Sequence, residues 1–276
     1  MSKAMVSVEK LLEWTTEFWL TVQKTLNKLS QNPIVAIEPV DEPNDLNLDR
    51  AWDDHVDMDP TEFYEIVYGN DDLTTPLDEA GVEQRVWEGA LTYRTCSKAA
   101  YILRPILTKI LASTYDQPVP VQWRRKVVKK PDLIFIPSAR DPKVKIPVMA
   151  HDYLILEFNE ESFVVDVARQ QFGLKDWLYT KNTYNELLTG DIYLPPLSSN
   201  PDKELEEEDR RLPLLRAAVE NVVDSVVEEW KSQDITWGNI LQLKDEEREK
   251  LYSDLVKKAR ERVGPEFLNA LANLST

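Results

Sequence analysis

The stretch HDYLILEFNEESFVVDVARQQFG, residues 151–173, consists of two apolar segments separated by the acidic turn NEES. Short segments rich in Val, Ile, Phe and Tyr, with turn residues between them, are typical of paired β-strands. We therefore expect an antiparallel hairpin here. His151 heads its first strand and Asp166 lies on its second, nearly opposite each other across the turn, so the two side chains are expected to be neighbours.

The hairpin ends a longer segment with a hydrophobic period of two, residues 119–168. Four pieces of it predict strands joined by turns that contain Pro and Asp: VPVQWRRKVV, DLIFIP, KIPVMAHDYLILEF and SFVVDVA. Consecutive short strands of this kind predict one antiparallel sheet. The basic run RRKVVKK, residues 124–130, alternates with valines and indicates a solvated edge strand rather than a binding surface.

A helical stripe precedes the predicted sheet, in TCSKAAYILRPILTKILAS. Its apolar side chains recur at helical spacing: Cys96, Ala99, Ala100, Leu103, Leu107, Ile110 and Leu111. Thr95 is a suitable N-cap, which places Cys96 at the first helical position, and Pro105 is expected to kink or break the helix. The sequence thus predicts an α+β fold in which a helix that carries Cys96 packs on an antiparallel sheet.

The remaining segments extend this core at both ends. We expect an amphipathic helix over residues 7–29, and an irregular, acidic segment over the proline-rich residues 31–60. Other expected elements are short helices over 61–69 and 82–92, a helix or irregular cover over 174–188, a solvated charge run over 201–211, and two or three C-terminal helices with an apolar stripe from Leu215 to Trp230. Three parts follow: residues 1–84 as an N-terminal helix and acidic wrap, 85–200 as the core, and 201–276 as a C-terminal helical extension.

The composition excludes several classes of function. The 276-residue chain has a net charge of -16 and a sequence pI near 4.7, so its surface would repel a nucleic-acid backbone. It has no Gly-rich phosphate loop and no apolar run of 18 residues, and Glu9, Glu13 and Glu17 interrupt its N-terminal apolar stretch. We therefore expect no nucleic-acid partner, no membrane association and a cytoplasmic location.

The chain has few of the Cys and His residues that bind zinc. One Cys and two His make a structural zinc site improbable on the count of ligands alone, and a single Cys cannot form an internal disulfide. The acidic segment around His55 lacks the pattern of a calcium-binding loop. We expect neither a metal ion nor a cofactor.

Cys96, His151 and Asp166 together suggest thiol chemistry. A nucleophilic cysteine needs a base that takes its proton and a third group that orients the base. Cys96 at a helix N-terminus would lie in the positive end of the helix dipole, which favours a thiolate. Asp166 lies among valines, and a buried carboxylate requires a hydrogen-bond donor. Cys96 and His151 are each more often structural when taken alone, Cys96 as core and His151 as a satisfied buried histidine, whereas Asp166 is harder to explain without a partner.

The order of a helix-capping Cys, a strand His and an Asp after a hairpin resembles the papain-like and transglutaminase-like cysteine fold. VVDVARQQFG also resembles the His/Asp hairpin of papain-fold toxins and arylamine N-acetyltransferases. The resemblance covers about residues 85–180. It implies that Cys96 is the nucleophile, His151 the general base and Asp166 the group that orients the base.

The sequence departs from that family around the nucleophile. YRTCSKAAY lacks the neighbouring Gly and Trp, and the oxyanion-hole Gln that papain-type enzymes carry six residues before the Cys is Ala90 here. An oxyanion hole would need the Cys96 backbone N–H and another donor. The candidates for that donor or for the cleft wall are Gln170, Gln171, Gln84, Tyr93 and Trp177.

Our leading hypothesis is an enzyme that attacks an amide or acyl carbon through Cys96, by hydrolysis, deamidation, or acyl or amide transfer. Its substrate would be a peptide, a protein or a small amide or acyl compound. The alternative is a non-catalytic interaction protein of the same fold, in which Cys96 is buried and inert. A helical scaffold without a papain-like core is a third, weaker hypothesis. The sequence leaves the substrate and the oligomeric state open.

Overall fold

The computed structural model describes residues 2–41, 46–70, 75–77, 79–189 and 199–274, without the side chains of residues 53, 55 and 79. The fold is 51% helical and 18% strand, with helices before and after an antiparallel curled sheet. This confirms the predicted α+β class. No helix among the described residues is both long and apolar enough to cross a membrane.

The described elements are numbered in chain order. The helices are α1 (Lys3–Leu12), α2 (Thr15–Leu29), α3 (Ala51–His55), α4 (Gln84–Thr92), α5 (Cys96–Thr114), α6 (Lys181–Glu186), α7 (Pro201–Glu208), α8 (Leu212–Lys231) and α9 (Asp245–Leu274). The strands are β1 (Ile34–Pro39), β2 (Glu62–Tyr68), β3 (Val121–Val128), β4 (Leu133–Pro137), β5 (Ala150–Glu157), β6 (Ser162–Val165), β7 (Leu178–Thr180) and β8 (Leu188–Thr189). Short 3₁₀ turns cover Glu79–Gly81, Arg169–Phe172 and Ile240–Gln242.

The larger sheet has the strand order β7-β6-β5-β3-β8, and every pairing in it is antiparallel. β3 and β5 pair along most of their length, and β6 returns from β5 through the hairpin predicted at NEES. The two-residue β8 pairs only with Val127 and Val128, so most of the far edge of β3 lacks a neighbouring strand in the described sheet, in agreement with the predicted edge.

A second sheet of three strands was not predicted. β2 pairs antiparallel with β1 and parallel with β4, which gives the order β1-β2-β4. The prediction of a helix over residues 61–69 is therefore wrong. The segment 31–60, expected to be irregular, contains the regular strand β1. The strand predicted at DLIFIP is β4, which belongs to this second sheet and not to the antiparallel one. Phe63 and Ile66 are buried on β2. Pairing with β4, about 70 residues away in sequence, satisfies the backbone of β2, and no local pattern could indicate this.

One hydrophobic core joins the helices to one face of the larger sheet. α5 buries the predicted stripe, and Leu154 and Leu156 of β5 face it. The same core takes in apolar residues of α1, α2, α8 and α9, so it contains residues of all three parts of the proposed domain division. The α5 helix passes through Pro105 without interruption, and α8 buries its predicted stripe.

The N-terminal segment forms two helices where one was expected. α1 begins at Lys3, with the Ser2 hydroxyl accepting from the Met5 N–H at 3.2 Å as an N-cap. The chain turns at Glu13 and Trp14 before α2 begins. The charge run at 201–211 forms the short helix α7, which has no buried residue.

Candidate active site

Cys96 is the first residue of the 19-residue helix α5, as predicted. Thr95 occupies the N-cap position, but its hydroxyl donates to the Thr92 carbonyl at 2.8 Å and does not cap the helix. The sulfur therefore lies where the free N–H groups of a long helix concentrate positive potential. Cys96 is only 6% exposed.

His151 and Asp166 form a buried pair. Nε2 of His151 lies 2.7 Å from Oδ2 of Asp166, and both side chains are almost wholly inaccessible to solvent. Asp166 accepts two further hydrogen bonds, from the Tyr184 hydroxyl at 2.6 Å and from the Ala168 N–H at 3.3 Å. Three donors hold this carboxylate in place, so it holds the imidazole in one orientation.

The pairing register differs from the predicted one. Leu154 pairs with Val165, so the same register extended by one step sets Asp166 opposite Tyr153 rather than opposite His151. His151 and Asp166 are diagonal neighbours on one face of the sheet, at a separation that their long side chains can bridge. β6 ends at Val165, before it would cover His151.

The charge state of His151 is decided by opposing influences. Complete burial lowers the pKa of His151. Asp166 raises it through its charge and its hydrogen bond, and Cys96 raises it in the same two ways. The net result is a pKa raised to about 10. Cys96 therefore acts on the imidazole alongside Asp166. Since Nε2 is engaged by Asp166, Nδ1 is the nitrogen left for other partners.

Gln171 is the one oxyanion candidate that contacts His151. Its Nε2 lies 3.3 Å from Nδ1 of His151, and its Oε1 accepts from the Arg94 N–H at 3.1 Å. Arg94 has a left-handed backbone, with φ of 57°, in the turn between α4 and α5. The Arg94 N–H therefore orients the Gln171 amide so that its NH₂ group faces the imidazole.

A neutral hydrogen bond from Gln171 would favour an unprotonated Nδ1, whereas Asp166 favours the imidazolium. A net hydrogen bond contributes about 1 kcal/mol. A unit charge pair at about 4 Å contributes about 4 kcal/mol even at an effective dielectric constant of 20. The carboxylate therefore dominates, which agrees with the raised pKa of His151.

The other candidates lie away from the imidazole. The Gln170 amide contacts the Val167 carbonyl and the Arg169 guanidinium, and Gln84 bonds to Glu88 at 2.8 Å. The Tyr93 ring packs on Phe135. The partly buried Trp177 packs against the main core, while its backbone carbonyl accepts from the Asp166 N–H at 2.9 Å.

A second buried carboxylate beside the site was missed from the sequence. Asp152 accepts from Arg125 through two hydrogen bonds of 2.8 and 2.9 Å, and it also accepts from the Ser97 hydroxyl. Asp152 and Cys96 line the same small cavity, so this ion pair adjoins the thiol. The dipeptide His151-Asp152 and the basic run are the sequence signals for this ion pair. Tyr184 belongs to an aromatic cluster that follows Asp166 closely in sequence and could form one wall of the cleft, but its hydrogen bond to Asp166 has no sequence signal.

Space beside the sulfur is small. Cys96, Asp152, Tyr153 and Ala168 help to line a cavity of about 10 Å³, which is close to the volume needed for one water molecule. Phe172 packs edge-on against the His151 ring, with centroids 4.9 Å apart. The site is therefore closely packed.

Metal binding has no structural support in the part of the chain that is described: no three His, Cys, Asp or Glu side chains there cluster suitably. The acidic segment around His55 is only partly covered, since the side chains of residues 53 and 55 lie outside the described set.

The chain matches no protein-family model, and comparisons with curated proteins and with solved structures found no significant similarity. The resemblance to papain-like and transglutaminase-like enzymes therefore stays a prediction, which depends on residue order and on the arrangement of Cys96, His151 and Asp166.

Proposed function

We propose that the protein is a thiol-dependent enzyme that acts on an amide or acyl carbon, with Cys96 as nucleophile, His151 as general base and acid, and Asp166 as the positioning residue. The observation that carries this proposal is the buried His151 imidazole, which lies 2.7 Å from a carboxylate and whose pKa is also raised by Cys96, the chain's only cysteine. A base oriented from behind by an acid is the arrangement that activates a thiol.

The chemistry would proceed in two steps. Cys96 reacts as a thiolate whose proton is held on Nδ1 of the His151 imidazolium, and the sulfur attacks the carbonyl carbon to form a tetrahedral adduct. The imidazolium then returns the proton to the leaving amine or alcohol as the thioester forms. Water or an acceptor amine, deprotonated by the same imidazole, attacks the thioester and releases Cys96.

The proposed oxyanion hole uses the Cys96 backbone N–H, which is free of an intrahelical partner at the first helical position. Gln171 supplies the second donor, because its NH₂ group adjoins the imidazole and its oxygen is held by Arg94. When Nδ1 is protonated, the Gln171 amide no longer has an acceptor there and can donate to the developing oxyanion.

One observation favours the alternative, a non-catalytic interaction protein with an inert Cys96. The sulfur is nearly buried, and the cavity beside it accommodates no more than a water molecule. In that case the buried pair of His151 and Asp166 would serve stability alone.

The two functions are separated by alkylation of Cys96. Since the chain has one cysteine, every iodoacetamide adduct found by intact-mass spectrometry reports on this residue. We expect the native protein at pH 6–7 to react faster than the urea-unfolded chain, whose ordinary thiol ionises near pH 8.5. Asp166→Asn should slow the native reaction about tenfold or more.

Asp176→Asn is the matched control, because it removes the same charge from an exposed position in the segment that follows Asp166. It should react like the wild type. A native protein that reacts far more slowly than the unfolded chain at every pH, with no effect of Asp166→Asn, would support the inert alternative. A chromogenic acetyl ester adds a second readout: an acetyl group on Cys96 that is absent in Cys96→Ala.

A further inference from the structure

A second cavity, separate from Cys96, His151 and Asp166, has a volume of about 600 Å³. It lies between α2, the end of α4, the start of α5, α8 and α9. This volume falls within the usual range for small-molecule binding sites, roughly 300–1,000 Å³. The α9 residues Phe267 and Leu268 form part of its wall, and Leu268 is itself exposed.

Half of the wall residues are aliphatic or phenylalanine. Leu26, Leu91, Leu212 and Leu215, together with the α9 residues, contribute to the wall from four different helices. Leu29 and Leu268 of this wall are exposed, and exposed apolar surface costs free energy in water and is stabilised by an apolar ligand. The body of the preferred ligand is therefore hydrocarbon.

Hydrogen-bond donors without acceptors also line the cavity. Gln23 is only 7% exposed, and its Nε2 makes no hydrogen bond to any described residue. The Tyr68 and Tyr93 hydroxyls and the Lys98 ammonium likewise lack a hydrogen bond or ion pair within the described chain. A buried donor without an acceptor costs about 1–3 kcal/mol, so Gln23 indicates that an acceptor is missing from the cavity.

The electrostatics of the wall favour an anionic acceptor. Burial raises the pKa of Tyr68 to about 12, with a further contribution from Tyr93, so both phenols stay protonated donors at neutral pH. Asp209 is the acidic residue of the wall, and Arg211 neutralises it through hydrogen bonds of 2.8 and 2.9 Å. Lys98 also acts on Asp209, so the described wall carries two cations, Lys98 and Arg211, against this one carboxylate, in a protein whose net charge is -16.

We propose that this cavity binds a small amphiphile with a hydrocarbon body and a carboxylate head, of the class of a medium- or long-chain fatty acid. The head accepts hydrogen bonds from the Gln23 amide and from Lys98, Tyr68 and Tyr93, and the chain lies against the leucines of α2, α8 and α9. This proposal is independent of the proposed enzyme activity, because the wall includes none of Cys96, His151 and Asp166.

The test uses 11-(dansylamino)undecanoic acid as a fluorescent probe and dodecanoate as its competitor. We expect saturable binding with one site per chain, and displacement by dodecanoate at least tenfold more effective than by dodecyltrimethylammonium, which has the same chain and the opposite charge. Lys98→Ala should weaken dodecanoate about tenfold or more, since a hydrogen bond to a charged group is lost. Leu268→Trp, at an exposed position on the rim, should block the cavity.

Two controls keep the result specific. Lys250→Ala removes an exposed lysine that lines a different cavity, between α8 and α9, and it should leave the affinity for dodecanoate unchanged. Cys96→Ala should also bind like the wild type, so loss of thiol reactivity cannot be mistaken for loss of this site. Circular dichroism checks that each variant is folded.

The proposal is overturned by an absence of saturable binding, or by equal displacement with the cationic amphiphile. It is also overturned if Lys98→Ala and Leu268→Trp, both folded, bind dodecanoate as tightly as the wild type, because the amphiphile then binds elsewhere.

Discussion

Replacing Asp166 by Asn removes the charge that keeps His151 protonated, while it keeps the size and the acceptor oxygen of the side chain. Asp166 is the first of the influences that raise the pKa of His151, and complete burial is the one that lowers it. Without the carboxylate charge, burial prevails over the remaining contribution of Cys96. We expect the pKa of His151 in Asp166→Asn to fall to 6.5 or below.

The free energy that favours the imidazolium follows from the pKa of the wild-type His151 and that of an ordinary histidine. The wild-type His151 has a pKa of about 10, against 6.5 for an ordinary histidine. This difference corresponds to about 5 kcal/mol in favour of the imidazolium in the folded protein. At pH 7.5 the wild-type ring is therefore almost wholly protonated, and in Asp166→Asn it is almost wholly neutral.

The assay is a pH titration of ¹⁵N-labelled histidine by NMR. The chain contains only His55 and His151, so a His55→Gln variant assigns both sets of ring signals. The wild-type His151 nitrogens should keep imidazolium shifts from pH 6 to 9. In Asp166→Asn they should show a neutral ring at pH 7.5, with the proton on Nε2.

Asp152→Asn is the matched control. Asp152 is also buried and accepts charged hydrogen bonds, but they come from Arg125 and not from His151. Its substitution should leave the titration of His151 in place. A wild-type His151 that titrates near pH 6.5, or an Asp166→Asn ring that is still protonated at pH 8, would refute the reasoning.

The same shift makes stability depend on pH. Because the pKa of His151 is raised in the folded state, its stabilising contribution is fully present below pH 6.5 and is lost as the pH rises toward 10. Urea denaturation should show the free energy of unfolding falling with pH in this window by up to about 1.4 kcal/mol per unit. His151→Gln should abolish this part of the slope, and an unchanged slope would contradict the assignment.

Two further predictions concern stability, measured by urea denaturation. Arg125→Ala leaves the Asp152 carboxylate buried without its cation and should lower the free energy of unfolding by about 3 kcal/mol or more. The control Arg124→Ala, at an exposed neighbouring position, should lower it by less than about 0.5 kcal/mol. Equal losses of stability would show that Asp152 does not need its partner. Gly89→Ala places a methyl group 2.6 Å from the Phe135 ring and should lower the free energy of unfolding by about 1–3 kcal/mol. In the control Gly81→Ala the new methyl group meets no atom within 4 Å, so stability should change by less than about 0.5 kcal/mol. A Gly89→Ala protein as stable as Gly81→Ala would mean that α4 does not pack closely on Phe135.

The sequence was sufficient where structure depends on near neighbours along the chain. The stripe from Cys96 to Leu111 predicts α5 and its first residue, because helical periodicity is set within a few residues. The acidic turn predicts the hairpin of β5 and β6 for the same reason. The candidate residues His151 and Asp166 followed from that hairpin, and their side chains do meet.

The register of the hairpin strands could not be predicted from the sequence. A backbone hydrogen bond of 2.9 Å from the Phe158 N–H to the Glu161 carbonyl closes the turn. With this turn the strands pair so that His151 is not directly opposite Asp166, although the sequence predicts that it nearly is. The two side chains meet diagonally, which a count of residues along the chain cannot distinguish from a direct pair.

Only the tertiary structure decided the remaining features. The helix expected over residues 61–69 runs against local preference, because Phe63, Ile66 and Val67 favour strands. What the tertiary structure decided is the pairing of β2 with β4 across about 70 residues. Gln171 reaches His151 because an amide from the turn before α5 holds it there, and Tyr184 reaches Asp166 from α6. Such contacts join segments that are far apart in sequence, and their free energy exists only once the chain has closed the loops between them.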